Sequence, residues 1–121
     1  MFAGQLPQRS RRNTPQRFVV HHPAPQVIVN AGSKMLGSDR PAWVTGFGRV
    51  MGCPDARIVA LSEHHGTIDW PVDAELPALG QTLALIPNHV CVTMNLVDEV
   101  TVVDGDAVVD RWRVAARGRN R

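Results

Sequence analysis

The sequence predicts a mainly β fold, either a small antiparallel β-barrel or a sandwich, with short strands, Gly/Pro turns and little helix. Apolar and polar residues alternate in several short segments, which is typical of strands with one buried face. Clusters of Gly and Pro separate these segments, and no stretch keeps a helical period of apolar residues over three turns. The length of 121 residues, with 44% hydrophobic and 20% charged residues, suits one globular domain or a piece of one.

Six strands are predicted in the first part of the chain: Phe18–Val20, Val27–Asn30, Trp43–Val50, Ala56–Ser62, Thr67–Val72 and Thr82–Ile86. The strand Val27–Asn30 begins with three apolar residues, so we expect it to be buried on both faces. Two glycines within Trp43–Val50 weaken that strand or mark a bulge. Pro71 cannot donate a hydrogen bond to a neighbouring strand, so Thr67–Val72 is expected at a sheet edge.

A β-hairpin is predicted further along the chain. Glu99–Val103 and Ala107–Trp112 are rich in β-branched residues and flank the sequence Asp104-Gly105-Asp106. A Gly-containing connection of this length is typical of the loop between two hairpin strands.

The segment Pro87–Leu96 is predicted to be a strand that carries metal ligands. Its residues alternate between an apolar face and a face with His89, Cys91, Thr93 and Asn95. An imidazole and a thiol two residues apart on a strand point the same way, which is the geometry needed to hold one Zn²⁺ ion. Two protein ligands leave coordination positions open for a substrate. A buried cysteine beside a hydrogen-bonded core histidine would give the same pattern.

Charge is unevenly distributed along the chain. Residues 1–17 contain four arginines and no acid, residues 111–121 contain five arginines and no acid, and all eleven acids lie between them. We expect a basic, extended leader over residues 1–17, a domain over residues 18–118 and a basic tail over residues 119–121. The basic ends favour, as an alternative function, a β-barrel module that binds nucleic acid, with Trp43, Trp70 or Phe47 as stacking platforms. No RNP-like or zinc-finger pattern accompanies them, so nucleic acid is the less favoured partner.

No signal for membrane insertion or secretion is present. The sequence has no apolar run of transmembrane length, and its N-terminal part does not show a charged region followed by a continuous apolar core and a small-residue cleavage site, as a signal peptide would. We therefore expect a cytoplasmic protein without a membrane partner. In that reducing compartment Cys53 and Cys91 should be free thiols.

Three blocks occur in a characteristic order: VIVNAGSK at residues 27–34, SEHHG at residues 62–66, and PNHVC at residues 87–91 followed by Thr93 and Asn95-Leu96. Together with residues 108–118, they resemble the C-terminal β-domain of D-serine dehydratases and D-threonine aldolases. Three ordered blocks are far more specific than a His-x-Cys pair alone. The resemblance covers roughly residues 18–118.

The resemblance implies a fold-type III enzyme related in architecture to alanine racemase. In such enzymes an N-terminal (β/α)₈ barrel holds pyridoxal phosphate on a lysine, and the β-domain supplies a divalent metal, Zn²⁺ or Mn²⁺. The matching metal ligands are His89 and Cys91. The metal is expected to bind the β-hydroxyl of a D-amino acid and to promote either dehydration or retro-aldol cleavage. The family resemblance also suggests a homodimer.

The chain departs from this pattern in two ways. It is too short to contain the barrel, which takes about 200 residues or more, and its only lysine, Lys34, lies in the AGSK block and not at the Schiff-base position. We therefore expect it to be inert alone and to need a barrel domain on the same or a separate chain. The resemblance places Glu63 and His64 or His65 beside the substrate pocket, where they would orient a ligand or move a proton. A polar turn ended by Gly66 would explain the same residues.

Overall fold

The computed structural model describes residues 24–119, so the predicted strand Phe18–Val20 and the predicted leader lie outside the described residues. The elements in order are β1 (Gln26–Val29), α1 (Ser33–Leu36), β2 (Gly48–Val50), β3 (Cys53–Leu61), β4 (Gly66–Asp69), β5 (Leu85–Pro87), α2 (Val90–Leu96), β6 (Glu99–Asp104) and β7 (Ala107–Arg113). Antiparallel strands predominate, which confirms the mainly β prediction. Within residues 24–119 neither sheet closes into a barrel, so the sandwich is the predicted architecture that fits.

A five-stranded sheet with the order β1-β4-β3-β2-β5 forms the main layer. Ile58 on β3 and Ile68 on β4 lie opposite each other, and both side chains are fully buried. They form the core together with Val50, Ala56 and Trp70. Buried and more exposed residues alternate along β4 because only one face of the sheet covers this core.

Two predictions about the edges of this sheet are wrong. The edge strands of the described sheet are β1 and β5, whereas β4 lies between β1 and β3. Pro71 follows the end of β4 at Asp69, where its missing N–H interrupts no strand pairing. Val27 and Val29 pack against the core, whereas Ile28 on the opposite face is 55% exposed, so the strand is not buried on both faces.

The segment before β2 is mostly a loop, so the strand predicted from Trp43 is confirmed only over Gly48–Val50. Gly46 has a φ of 78°, and a Cβ there would lie 2.6 Å from the carbonyl oxygen of Ile58. Only glycine allows this loop to approach β3 so closely. The N–H of Phe47 donates to the same carbonyl at 2.7 Å. An irregularity in the pairing of β2 with β3 follows at Arg49, in agreement with the expected bulge.

The predicted hairpin is confirmed as β6 and β7, which form a separate two-stranded sheet. Gly105 in its turn has a φ of 57°, a conformation that glycine adopts without strain. All residues of β7 are exposed, so this sheet adds nothing to the main core.

The segment predicted as the ligand-bearing strand forms the helix α2 from Val90 to Leu96, so that prediction is wrong. Its β-branched residues have weak helix propensity. However, Gly37 at the end of α1 lies so close to α2 that a Cβ there would be 2.7 Å from the Val92 side chain. The Thr93 hydroxyl also donates a hydrogen bond to the Leu36 carbonyl in α1. Packing of α2 against α1 therefore outweighs the local preference. Neither helix, nor any other in the described part of the chain, is long and apolar enough to cross a membrane.

Candidate functional site

His89 precedes the first turn of α2, and its ring faces the loop that follows α1. The Nδ1 atom lies 2.5 Å from Oδ2 of Asp39, which is 50 positions earlier in the chain. The two side chains are 48% and 42% exposed, so the pair is open to solvent. Because the carboxylate occupies Nδ1, the imidazole keeps Nε2 as its free donor atom for a ligand.

Asn88 holds the loop that carries Asp39. Its Nδ2 donates to the backbone carbonyls of Asp39 at 3.0 Å and of Gly46 at 2.9 Å. The hydroxyl of Thr93 donates to the carbonyl of Leu36 at 3.1 Å. These three bonds fix the N-terminal part of α2 against the segment from residue 36 to residue 46. They keep the Asp39 carboxylate in place beside His89.

Cys91 is an exposed free thiol at the second residue of α2. Residues two apart on a helix differ by about 200° around the axis, so Cys91 and Thr93 do not share a face as the strand assignment required. Cys53 is a half-buried free thiol on β3, which confirms the prediction of two free thiols. Residues 24–119 contain no cluster of three or more His, Cys, Asp or Glu side chains that could hold a metal ion. That His89 and Cys91 bind a metal ion, with its other coordination positions left open, stays a prediction.

The AGSK and SEHHG blocks pack backbone against backbone. A Cβ on Gly32 would lie 2.3 Å from the carbonyl oxygen of Ser62, so only glycine permits this approach. The N–H of Ser33 donates to the Ser62 carbonyl at 2.9 Å, and that of Lys34 donates to the Glu63 carbonyl at 3.2 Å. At the surface, Lys34 Nζ lies 3.0 Å from Glu63 Oε2. The predicted catalytic turn is therefore attached to α1.

Glu63 and His64 occupy a polar, solvent-facing turn. His64 Nε2 lies 4.0 Å from Glu63 Oε2, and both side chains are about two-thirds exposed or more. The turn is closed by the N–H of His65, which donates to the Ser62 hydroxyl at 3.1 Å. Within the described residues no hydrogen bond or ion pair joins this turn to His89. The turn and the helix α2 are connected through α1, which hydrogen-bonds to both. Glu63 and His64 stay predicted catalytic residues.

The three aromatic residues suggested as stacking platforms differ in their exposure. Trp43 is 85% exposed, whereas Phe47 is half-buried with the Arg40 guanidinium 5.4 Å from its ring centroid. Trp70 is only 6% exposed, and its Nε1 donates to the carbonyl of Glu75. Trp70 is a core residue and cannot stack on a base, so that part of the nucleic-acid hypothesis is wrong.

Sequence reasoning missed Asp39 and its interaction with His89. The signal that could have found it is a carboxylate five residues after Lys34, in the loop that ends the AGSK block. Nothing in the local pattern shows that this loop meets Asn88 and His89, because the contact spans 50 residues.

Comparison with known proteins finds relatives over most of this domain. Residues 17–103 match the family described as "Putative serine dehydratase domain". An uncharacterized protein of Mycobacterium tuberculosis is 61% identical over 95 residues, which make up 78% of this chain and 71% of the relative. A D-threonine aldolase of Arthrobacter sp. is 36% identical over 104 residues, which make up 85% of this chain and 26% of that enzyme.

Solved structures give the same result. The crystal structure of D-threonine aldolase from Filomicrobium marinum matches with a TM-score of 0.66 at 31% identity. The match covers 84% of this chain and 27% of that one. This chain therefore spans about a quarter of the length of the aldolases that it matches.

Proposed function

This chain belongs to the D-serine dehydratase-like domain family, and from that premise we propose that it is the metal-binding β-domain of a pyridoxal phosphate-dependent lyase. The lyase would act on β-hydroxy D-amino acids, by dehydration or by retro-aldol cleavage. The domain would bind one divalent cation, Zn²⁺ or Mn²⁺, through His89 and Cys91. The contact between His89 Nδ1 and Asp39 Oδ2 carries the proposal, since a metal-binding histidine usually gives its other ring nitrogen to a carboxylate or carbonyl.

The donor atoms suit a borderline-soft cation. An imidazole nitrogen and a cysteine thiolate are common zinc ligands, and zinc is favoured over manganese by the sulfur. Both side chains are exposed, so an ion can enter, and two protein ligands leave positions open. When bound, the cation takes up negative charge that develops on the β-oxygen of the substrate. Asp39 orients the His89 ring, and Asn88 in turn holds the backbone of Asp39.

Pyridoxal phosphate does not fit the residues of this chain. Lys34 is its only lysine, and the Lys34 ammonium forms an ion pair with Glu63 in the AGSK block. The cofactor would be held by a barrel domain. In proteins built like the aldolases, that barrel would lie on the same chain. The 95 matched residues make up 71% of the mycobacterial relative, which is therefore about 130 residues long. That length is too short for a barrel of about 200 residues or more. In a protein built like this relative, the barrel would have to be a separate chain.

His64 and Glu63 are proposed to border the substrate. In the complete enzyme the His64 imidazole would accept or return a proton. Glu63 would hold either the His64 imidazole or the Lys34 ammonium in place. We also propose that the complete enzyme is a homodimer, as the family resemblance suggests, and that it is cytoplasmic.

Zinc binding by the purified chain tests the metal proposal. Competition with a chelating dye should give about one ion per chain, and the affinity should fall at least about tenfold in His89→Ala and in Cys91→Ser. Cys53→Ser and His64→Ala are matched controls that should keep the wild-type affinity. His21 and His22 are adjacent and could bind zinc themselves, so each measurement is repeated with both replaced by Ala.

Asp39→Asn tests the orienting role of the carboxylate separately. The amide keeps the size of the side chain but loses its charge, and zinc affinity should fall about 10- to 100-fold. A wild-type affinity in His89→Ala would refute the metal site itself. Loss of zinc in His89→Ala with no change in Asp39→Asn would refute only the role of Asp39.

A further inference from the structure

Two arginines face each other across β2 and β3 on the exposed side of the main sheet. Arg49 and Arg57 are direct partners in the strand register, so their side chains lie on the same face. Arg49 Nη1 donates to the carbonyls of Thr45 at 2.7 Å and of Gly48 at 3.1 Å. Arg57 Nη1 donates to the hydroxyl of Thr45 at 2.9 Å. One residue, Thr45, therefore draws both guanidinium groups to the same place.

Among the described residues, neither of these two charges is in an ion pair with a carboxylate. The remaining residues contain no Asp or Glu. Asp69 is opposite Arg57 on β4 without an ion pair within 4.0 Å, and its Oδ1 accepts a hydrogen bond from Gln26 at 3.0 Å. Three other cations of the described residues, Lys34, Arg111 and Arg117, do form an ion pair with a carboxylate.

The loop that brings the arginines together is fixed in place. Gly46 lies against the Ile58 carbonyl at a distance that only glycine permits, and the Phe47 N–H donates to that carbonyl. On its other side, the Gly46 carbonyl accepts a hydrogen bond from Asn88. Thr45, next to Gly46, is therefore held over both arginines. Like charges directly opposite each other in a sheet are destabilising, so an anion bound between them would stabilise the domain.

We propose that Arg49, Arg57 and Thr45 form a binding site for an oxyanion, the phosphate or carboxylate group of a small ligand. A guanidinium presents five N–H donors in a planar fork that matches two oxygens of such a group. The contacts to Thr45 and Gly48 use only one nitrogen of each arginine, so the rest of each fork is available. Charge-assisted hydrogen bonds of this type are stronger than neutral ones. The site contains neither His89 nor Cys91, so the proposal does not rest on the proposed metal function.

NMR titration of the full chain with inorganic phosphate tests the site, with sodium chloride adjusted to keep the ionic strength constant. Amide shifts should be concentrated at Thr45, Arg49 and Arg57 and should saturate. Arg57→Gln should weaken phosphate binding about tenfold, since a hydrogen bond to a charged group contributes at about that level. Arg113→Gln is the matched control, because Arg113 is exposed on β7 and has no carboxylate partner among the described residues. It should leave the phosphate affinity unchanged.

A parallel titration with acetate distinguishes the two sources of the oxyanion. Tighter binding of phosphate indicates a phosphate ligand, and tighter binding of acetate indicates a carboxylate ligand; both results support the site. Thr45→Val keeps both charges but frees Arg57, and it should weaken binding several-fold even if Arg57→Gln does not fold. Shifts spread over the other arginines, or equal affinity in Arg113→Gln and Arg57→Gln, would overturn the proposal.

Discussion

Replacing Gly32 by Ala tests how closely α1 is packed against the Glu63 turn. The φ of Gly32 is −110°, which any residue adopts, so the cost arises from space alone. The new Cβ would lie 2.3 Å from the Ser62 carbonyl oxygen, whereas real Cβ contacts essentially never fall below 3.0 Å. The two backbone segments must therefore separate by about 0.7 Å, the difference between these distances.

This separation weakens the hydrogen bonds from Ser33 to Ser62 and from Lys34 to Glu63. Overpacking costs about 1–3 kcal/mol, and each weakened hydrogen bond adds up to about 1 kcal/mol. We expect Gly32→Ala to lower the free energy of unfolding by about 2–4 kcal/mol and the Tm by roughly 10 °C or more. Urea and thermal denaturation followed by circular dichroism measure both quantities.

Lys34→Ala is the control, because it removes the exposed ion pair with Glu63 and leaves the contact at Gly32 intact. It should cost at most about 1 kcal/mol, as is typical of a surface ion pair. A Gly32→Ala protein within about 0.5 kcal/mol of wild type, the range of an ordinary surface change, would refute the reasoning. So would a larger loss in Lys34→Ala than in Gly32→Ala.

Three further predictions concern the core, the loop beside His89 and the hairpin. Ile58→Ala should lower the free energy of unfolding by about 2–5 kcal/mol in urea denaturation, because the side chain is fully buried; the exposed Ile28→Ala is the control and should cost much less. Asn88→Ala leaves two backbone carbonyls without their donor and should cost about 1–3 kcal/mol; unchanged amide shifts around Asp39 would contradict it. The Trp112 Nε1–H and then the Arg111 N–H hold the pKa of Asp110 below its ordinary value of 3.8. The Asp110 carboxylate therefore adds stability above its unfolded pKa, which is lost as the pH falls through the lowered folded value. Trp112→Phe should raise the titration midpoint of Asp110 toward 3.8 in NMR, and an unmoved midpoint would argue against the indole bond.

Much of the fold could be predicted because its signals are local. The alternation in β6 and β7 and the Gly at their turn are properties of adjacent residues, and the hairpin forms as expected. The same local rule failed for Val90–Leu96, where seven residues are too few to separate a strand from a helix by periodicity. Packing against α1, through Val92 and Thr93, decided that segment.

The candidate site was predicted in part. The His-x-Cys spacing and then the family resemblance selected His89 and Cys91 from the sequence. The residue that orients His89 could not be found in this way, because Asp39 is 50 positions away. The pairing of Arg49 with Arg57 likewise depends on the strand register.

By itself, the sequence determined the strand-rich class, the hairpin and the membership of the three blocks in one family, since each depends on residue types at short spacings. Only the tertiary structure decided that a helix begins directly after His89, that Asp39 holds His89, and that Arg49 and Arg57 meet at Thr45. These features depend on contacts between distant segments. Such contacts are set by the burial of the common core and by close backbone approaches at Gly32 and Gly46, which a local pattern does not encode.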